Sequence, residues 1–377
     1  MLVINTINLD WDIYFTRSMI KKYNYIELLR FISAFAVIMA HYMHFFEPFN
    51  KLSNLYIFTG YLQFNSDHLP FHSFLKNFYE FGHMGVFFFW QLSGFVLAHA
   101  YLNNLRYKIK FREFFINRFA RLYPLHFISL ILLILIQLLL FKNFGSYQIT
   151  DNSFYKGENS IRNLIYHILF ISGWSTESKI TFNFPIWSVS IEIIIYFLFF
   201  YLLKPLYKYK LVFTIFVLVL FIYLDKSEYK LFFVDCGRYF FSGTLIYFLS
   251  EKLKNKNNIL ILSVFLMILT LIGNFKYNLF FSSIIFFTLF LENIDNSKYK
   301  NSFSILGNLT YSSYLLHVPL QLSFIFLFGL FKLNFEIFTT NVFFILYLCL
   351  IFFISFCSYK YIENPLRLRI KKFDFFK

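Results

Sequence analysis

An arginine and a histidine eleven residues apart lie in the first long apolar run, Tyr25 to Phe46, YIELLRFISAFAVIMAHYMHFF. The run has the length of a membrane span, about 20 residues. It nevertheless carries Glu27, Arg30, His41 and His44. An ionisable group at membrane depth is costly to bury, so it marks a functional position by default. At 3.6 residues per turn, positions 30 and 41 return to nearly the same face, roughly 16 Å apart along the axis. One stripe of one helix thus offers a cation near one end and an imidazole toward the other. The cation can hold an anion, and the imidazole can take a proton. The structural alternative is an arginine snorkelling to the membrane edge and a histidine bonded to a neighbouring helix.

Other motifs add to this pair. RFARLYP sets Arg118 and Arg121 at i and i+3 where a span begins. Guanidinium pairs hold phosphate oxygens with bidentate geometry. Lys108, Lys110 and Arg112 upstream deepen the positive field. The same arginines also suit a plain positive-inside anchor. PIWSVSIEIIIY carries Glu192, with Ser188 one turn before it on the same face. A carboxylate at lipid depth must be protonated, or face a cation, a histidine or water. His41 and Glu192 fall at similar depth below the outer ends of their spans. They are expected either as an acid–base unit, the carboxylate orienting the imidazole, or as a structural hydrogen bond between helices.

GHMGVFFFWQLSGFVLAHAY holds Gly82, Gly85 and Gly94, which suit close helix packing or a tight entry loop. Its Gln91, Ser93 and His99 must find polar partners. His317-Val-Pro319 reads as a proline kink with a locally bonded histidine. Glu363 and Pro365, in YIENPLR, read as the structural end of the last helix.

The elements that position these residues are helices in a membrane. The chain of 377 residues is 58% hydrophobic and only 15% charged, with 60 Phe and 28 Tyr. So much apolar surface has no place to be buried in a soluble domain, which predicts an all-α, polytopic helical bundle. Ten spans are expected, at about 26–46, 82–101, 118–141, 187–203, 209–224, 231–250, 258–274, 277–292, 305–331 and 340–362. The apolar stretch 162–174 is too short to cross and is expected at the interface or re-entrant. Lys and Arg concentrate in alternate loops, on the side shared by both chain ends, which places both termini in the cytoplasm. Residues 1–22 then form a short cytoplasmic tail ahead of a transmembrane core of about 26–362, and 1–377 reads as a single domain.

The net charge of +15 is topological in such a chain and does not point to nucleic acid. Cys236, Cys349 and Cys357 lie in apolar runs, with neither a disulfide framework nor metal-ligand spacing. Gly-rich phosphate loops, HExxH and GxSxG are absent from the sequence.

Taken together, Arg30-x10-His41, GHMGVFFFWQLSGF, RFARLYP, WSVSIE, LGNLTYSSYLLHVP and YIENPLR resemble acyltransferase family 3. These are membrane-integral O-acyltransferases, O-antigen acetylases among them, that acetylate cell-envelope sugars. The pieces run in the family's order over nearly the whole chain. The resemblance implies acetyl-CoA or another acyl-CoA as cytoplasmic donor and no metal. It implies a glycan or lipid-linked saccharide hydroxyl as acceptor on the outer side, and a multi-pass place in a bacterial inner membrane. His41 matches the family's essential histidine and Arg30 its partner cation. Arg118 and Arg121 match its arginine pair, and Glu192 the carboxylate of the fourth span. Phe87 departs from the family, which often has a polar residue, frequently Asp, just after Gly-Val. No segment corresponds to the extracytoplasmic esterase-like domain that some members append.

On this reading the donor phosphates dock at the basic inner lip. The pantetheine arm, ~15–20 Å when extended, carries the thioester toward His41. His41 acts as general base, Glu192 orients it and Arg30 fixes the donor. The outer loops 47–81 and 142–186, rich in Tyr and Phe (Tyr56, Tyr61, Phe64, Phe71, Tyr147, Phe154, Tyr155), are expected to select the acceptor or to form an aromatic belt. The rival reading is a multi-pass transporter of a lipid-linked glycan or small anion. Buried charges and a proline-broken span also suit a translocation path.

Overall fold

The structure is a computed structural model that describes residues 22–45, 69–102, 107–144, 159–174, 181–226, 232–253, 255–271, 276–295 and 300–372. Expectations for the tail 1–22, apart from Lys22, and for most of the aromatic outer loops lie outside the described residues. Within them the chain is helical and no strand occurs. The helices are α1 Asn24–Tyr42, α2 His72–Phe81, α3 Gly85–Tyr101, α4 Phe111–Phe144, α5 Ile161–Ile168 and α6 Ile186–Leu224. They continue with α7 Phe232–Lys252, α8 Lys256–Thr270, α9 Lys276–Ile294, α10 Lys300–Leu330, α11 Asn341–Ser358 and α12 Asn364–Lys372. Among the described residues seven segments are long and apolar enough to cross a membrane. Helix falls in all ten regions expected to span. α7 carries Asp235, Arg238, Glu251 and Lys252, and α8 has only 15 residues.

α6 is not one rod. Lys210 breaks it with φ +46° and ψ −117°. A straight helix would put Phe199 and Phe221 roughly 33 Å apart. Phe199 instead packs on Phe240, with ring centroids 5.4 Å apart, and Phe221 on the adjoining Phe241 at 5.6 Å. The chain therefore reverses at Lys210. Residues 186–209 and 211–224 are two antiparallel arms, at the places expected for the spans 187–203 and 209–224.

Glycine sets the closest approaches, as expected where lipid offers no hydrophobic drive and packing must hold helices together. A Cβ on Gly94 would strike the Phe240 carbonyl, and one on Gly243 the Gln91 carbonyl. The two glycines thus seat α3 and α7 reciprocally, backbone to backbone. A Cβ on Gly82 or Gly85 would strike the carbonyls of Ala36 and Ser33, so the 3-10 turn Gly82–Met84 lies directly on α1. Gln91 Nε2 finds the expected partner in Ser282 Oγ, 2.7 Å away on α9.

Two boundaries differ from expectation. α4 begins at Phe111, so Arg118 and Arg121 lie about two and about three turns inside the helix rather than at its lip. Pro365 does not stop the last helix. The chain passes through a π turn, Tyr359–Glu363, into α12, and Pro365 sits in the first turn of α12. The short stretch near 162–174 holds α5, eight residues long and tied to α4. Tyr123 Oη donates to the Ile168 carbonyl (2.9 Å) and His126 Nε2 to the His167 carbonyl (2.8 Å).

Candidate active site

α1 and α10 run side by side in the same direction, because Glu27 lies against Gly307 while His41 meets His317 further along both helices. Gln321 Nε2 donates to the His41 carbonyl at 2.9 Å, pinning the end of α1 to α10.

Pro319 shapes the neighbouring turn. Proline has no N–H, so the carbonyl four residues earlier, Leu315, loses its helical partner. Asn183 Nδ2, in the segment ahead of α6, donates to that carbonyl at 3.1 Å and to Ser129 Oγ on α4 at 2.9 Å. The next residue, Phe184, is thereby laid against the His41 ring, with centroids 4.7 Å apart.

The two histidines form one unit. His41 Nδ1 and His317 Nε2 are 2.7 Å apart, and His317 Nδ1 is 3.2 Å from the Ser313 carbonyl. A carbonyl only accepts, so His317 Nδ1 carries the hydrogen. His317 Nε2 is then a bare acceptor, and His41 Nδ1 donates to it. The chain of tautomers leaves the lone pair of His41 on Nε2, which makes no hydrogen bond with a described residue. His317 is fully buried and His41 is partly open. The histidine expected to bond only within its own helix does so and also fixes His41.

The expected partner of His41, Glu192, is elsewhere. Glu192 lies beside Ser93 and Tyr196 and in the field of Arg30 and Arg121, and its Oε1 has no partner among the described residues. It lines a narrow cavity of about 80 Å³ with Arg30, Ser93, Arg118, Arg121, Tyr196, Tyr311 and Tyr314. The three arginines expected to hold the donor thus share one cavity with Glu192, and His41 is not among its walls. Matched depth did not give a matched face.

Arg30 is held by Glu27 at 2.8 Å, and Arg118 Nη2 is 3.5 Å from Tyr101 Oη. Arg121 forms no hydrogen bond or ion pair with a described residue, and it lies in the field of Arg30, Arg118, Glu27 and Glu363. Glu363, which the sequence marks only as a helix end, is a buried carboxylate accepting from Ser312 Oγ at 2.7 Å.

Tyr314 joins the cavity to the histidines. It lines the cavity, and its ring centroid is 6.2 Å from that of His317. Its hydroxyl is 2.8 Å from Ser188 Oγ and donates to the Pro185 carbonyl at 3.0 Å. Sequence reasoning passed over Ser93 as a role-bearing residue, and over Tyr196, Tyr311 and Tyr314. Tyrosine is so common in this chain that its presence carries little signal.

The arrangement can take a proton at His41 Nε2 and hold an anion at Arg118 and Arg121. Among the described residues no group of His, Cys, Asp and Glu is placed to hold a metal. The chain matches the acyltransferase domain family over residues 23–360. No curated protein and no solved structure matches.

Proposed function

The chain belongs to this acyltransferase family and is a membrane acyltransferase, and we propose that it moves an acetyl or other short acyl group from acyl-CoA to a hydroxyl of a cell-envelope or exported glycan. We place it in a bacterial inner membrane, with both chain ends and the arginine cavity on the cytoplasmic side. Arg118, Arg121 and Arg30 take the donor's phosphates, as guanidinium groups do. Glu192 Oε1 accepts an amide N–H of the pantetheine arm. The arm leads the thioester past Tyr314 to His41.

His41 Nε2 removes the proton from the acceptor hydroxyl as its oxygen attacks the thioester carbonyl. The C–S bond breaks, and the departing thiolate takes the proton back from the imidazolium. His317 accepts from Nδ1–H throughout and keeps the ring in the tautomer the step requires. The single observation that carries this reading is the His41–His317–Ser313 chain, which leaves a base where the first span expects one. Transport, the rival function, has no such need of an oriented base, and family membership speaks for transfer.

The test uses washed membranes given acetyl-CoA labelled in the acetyl group. Label should enter base-labile glycan with the wild type and not with His41→Ala at matched expression. Equal labelling by both would sink the assignment of His41. Label in neither, with the native glycan present, would sink acetyl-CoA as donor.

A further inference from the structure

A second cleft opens at the end of the bundle where Arg118 meets Tyr101. It is about 590 Å³ in volume and is formed by three chain segments: the end of α3 at Leu102, the tip of the α6 hairpin, and the last turns of α7. Its chemistry is mixed. Tyr207, Tyr209 and Tyr247 supply rings, Lys210 and Lys252 supply cations, and Glu251 supplies a carboxylate. Tyr209 and both lysines are exposed, while Tyr247 is buried. Tyr207 already holds one flat ring face to face, that of Tyr107, with centroids 3.8 Å apart.

Each component excludes a simpler ligand. A site for phosphate alone has no use for a carboxylate, and a site for an apolar tail has no use for two lysines. A nucleotide needs all three: a ring stack, cations for its phosphates, and an acceptor for an exocyclic amine or a ribose hydroxyl. The backbone adds a second observation. Lys210 holds φ +46°, a strained region for a residue with a side chain and one that gathers at functional sites.

Resting on the acyl-CoA reading, the geometry points to this cleft as the subsite for the adenosine phosphate end of the donor. The diphosphate that joins this end to the pantetheine arm then reaches the arginine cavity, and the arm runs on from there toward His41. Cleft and cavity lie close, since Tyr101 touches Arg118 and the next residue, Leu102, lines the cleft.

The test uses the purified full chain and a double variant, Lys210→Gly with Lys252→Gln. Glycine at 210 removes the cation and relieves the backbone, so the hairpin tip is kept. Adenosine 3′,5′-bisphosphate is titrated calorimetrically. Acetyl transfer is measured from acetyl-CoA and from S-acetyl-4′-phosphopantetheine, which lacks the nucleotide. The double variant should bind the bisphosphate at least tenfold more weakly. Its KM for acetyl-CoA should rise by a similar factor with kcat kept, while the truncated donor changes less than twofold. Unchanged bisphosphate binding, or equal losses on both donors, would overturn the subsite. A wild type that transfers acetyl from CoA but does not bind the bisphosphate overturns the subsite alone. One that binds the bisphosphate but transfers from neither donor overturns the acyl-CoA reading and leaves a nucleotide site.

Discussion

His41 Nδ1 lies 2.7 Å from His317 Nε2, across 276 residues of sequence. The carbonyl of Ser313 fixes the hydrogen on the far side of His317, so the pair has one tautomeric order and one exposed base. Removing the base should cost about 10²–10⁴-fold in kcat, the usual worth of a positioned acid–base group. His317→Ala should cost less, about 10–100-fold, because His41 remains but is no longer oriented. His317→Gln can accept from Nδ1 through its amide oxygen and should recover part of that loss. The readout is labelled acetyl transfer at saturating donor. Equal activity of the Ala and Gln variants would argue that His317 only fills space.

The same pair sets the sign of the pH dependence. A proton on His41 Nε2 destroys the base, so kcat should climb as pH rises through the titration of the pair and then level off. Because the histidines interact, the acid limb belongs to both and not to either alone. In His317→Gln the limb should move, since one titrating member is gone. A pH–rate profile that is superimposable in the two proteins would contradict the coupling.

Glu192 tests the division between the two halves of the site. It faces Arg30, Arg121, Ser93 and Tyr196, not the histidines. Glu192→Gln should therefore act on donor binding. KM for acetyl-CoA should change several-fold, and the pH profile of kcat should keep its shape. If the carboxylate oriented His41, the substitution would instead lower kcat and shift that profile. Steady-state kinetics with wild type and variant over a range of pH decides between them.

Arg121 should tolerate no replacement, lysine included. It bonds no described residue, and its fork geometry matches phosphate oxygens where an ammonium offers a point charge. Arg121→Lys and Arg121→Ala should both raise KM for acetyl-CoA by about tenfold or more, the worth of a lost charge-assisted contact. Recovery of wild-type KM by Lys would show that the site needs charge alone.

How far the sequence could be read is visible in these same residues. Apolar run length placed helices where the structure has them, and spacing put Arg30 and His41 on one stripe of α1. Glycines expected to pack closely do so at Gly82, Gly85 and Gly94. What failed was azimuth. Depth along a span follows from counting, but the side of a helix a residue faces depends on which helices are neighbours. Glu192 and His41 were matched in depth and face different partners, while His317 shares a seam with His41 because α1 and α10 lie parallel. A local stop signal also failed at Pro365, where a π turn absorbs the mismatch and the helix continues.

Asn183 and Pro319 give the sharpest test of how the site is built. Pro319 strips the Leu315 carbonyl of its helical partner, and Asn183 Nδ2 replaces it at 3.1 Å. Asn183→Ala should leave that buried carbonyl unsatisfied, at a cost of about 1–3 kcal/mol. It should also release Phe184 from the His41 ring and lower kcat. Pro319→Ala restores the missing N–H to α10 and makes Asn183 redundant at Leu315. The double variant should then be less destabilised than the sum of the single changes, whereas two unrelated sites would simply add. Thermal unfolding in detergent of the wild type, both single variants and the double variant measures the coupling. Labelled transfer by the same four proteins separates stability from activity. Stability should return in the double variant, but activity should not return in full, because Asn183 also bonds Ser129 and those contacts hold Phe184 in place. Additive losses in unfolding would show that the proline and the asparagine serve separate purposes.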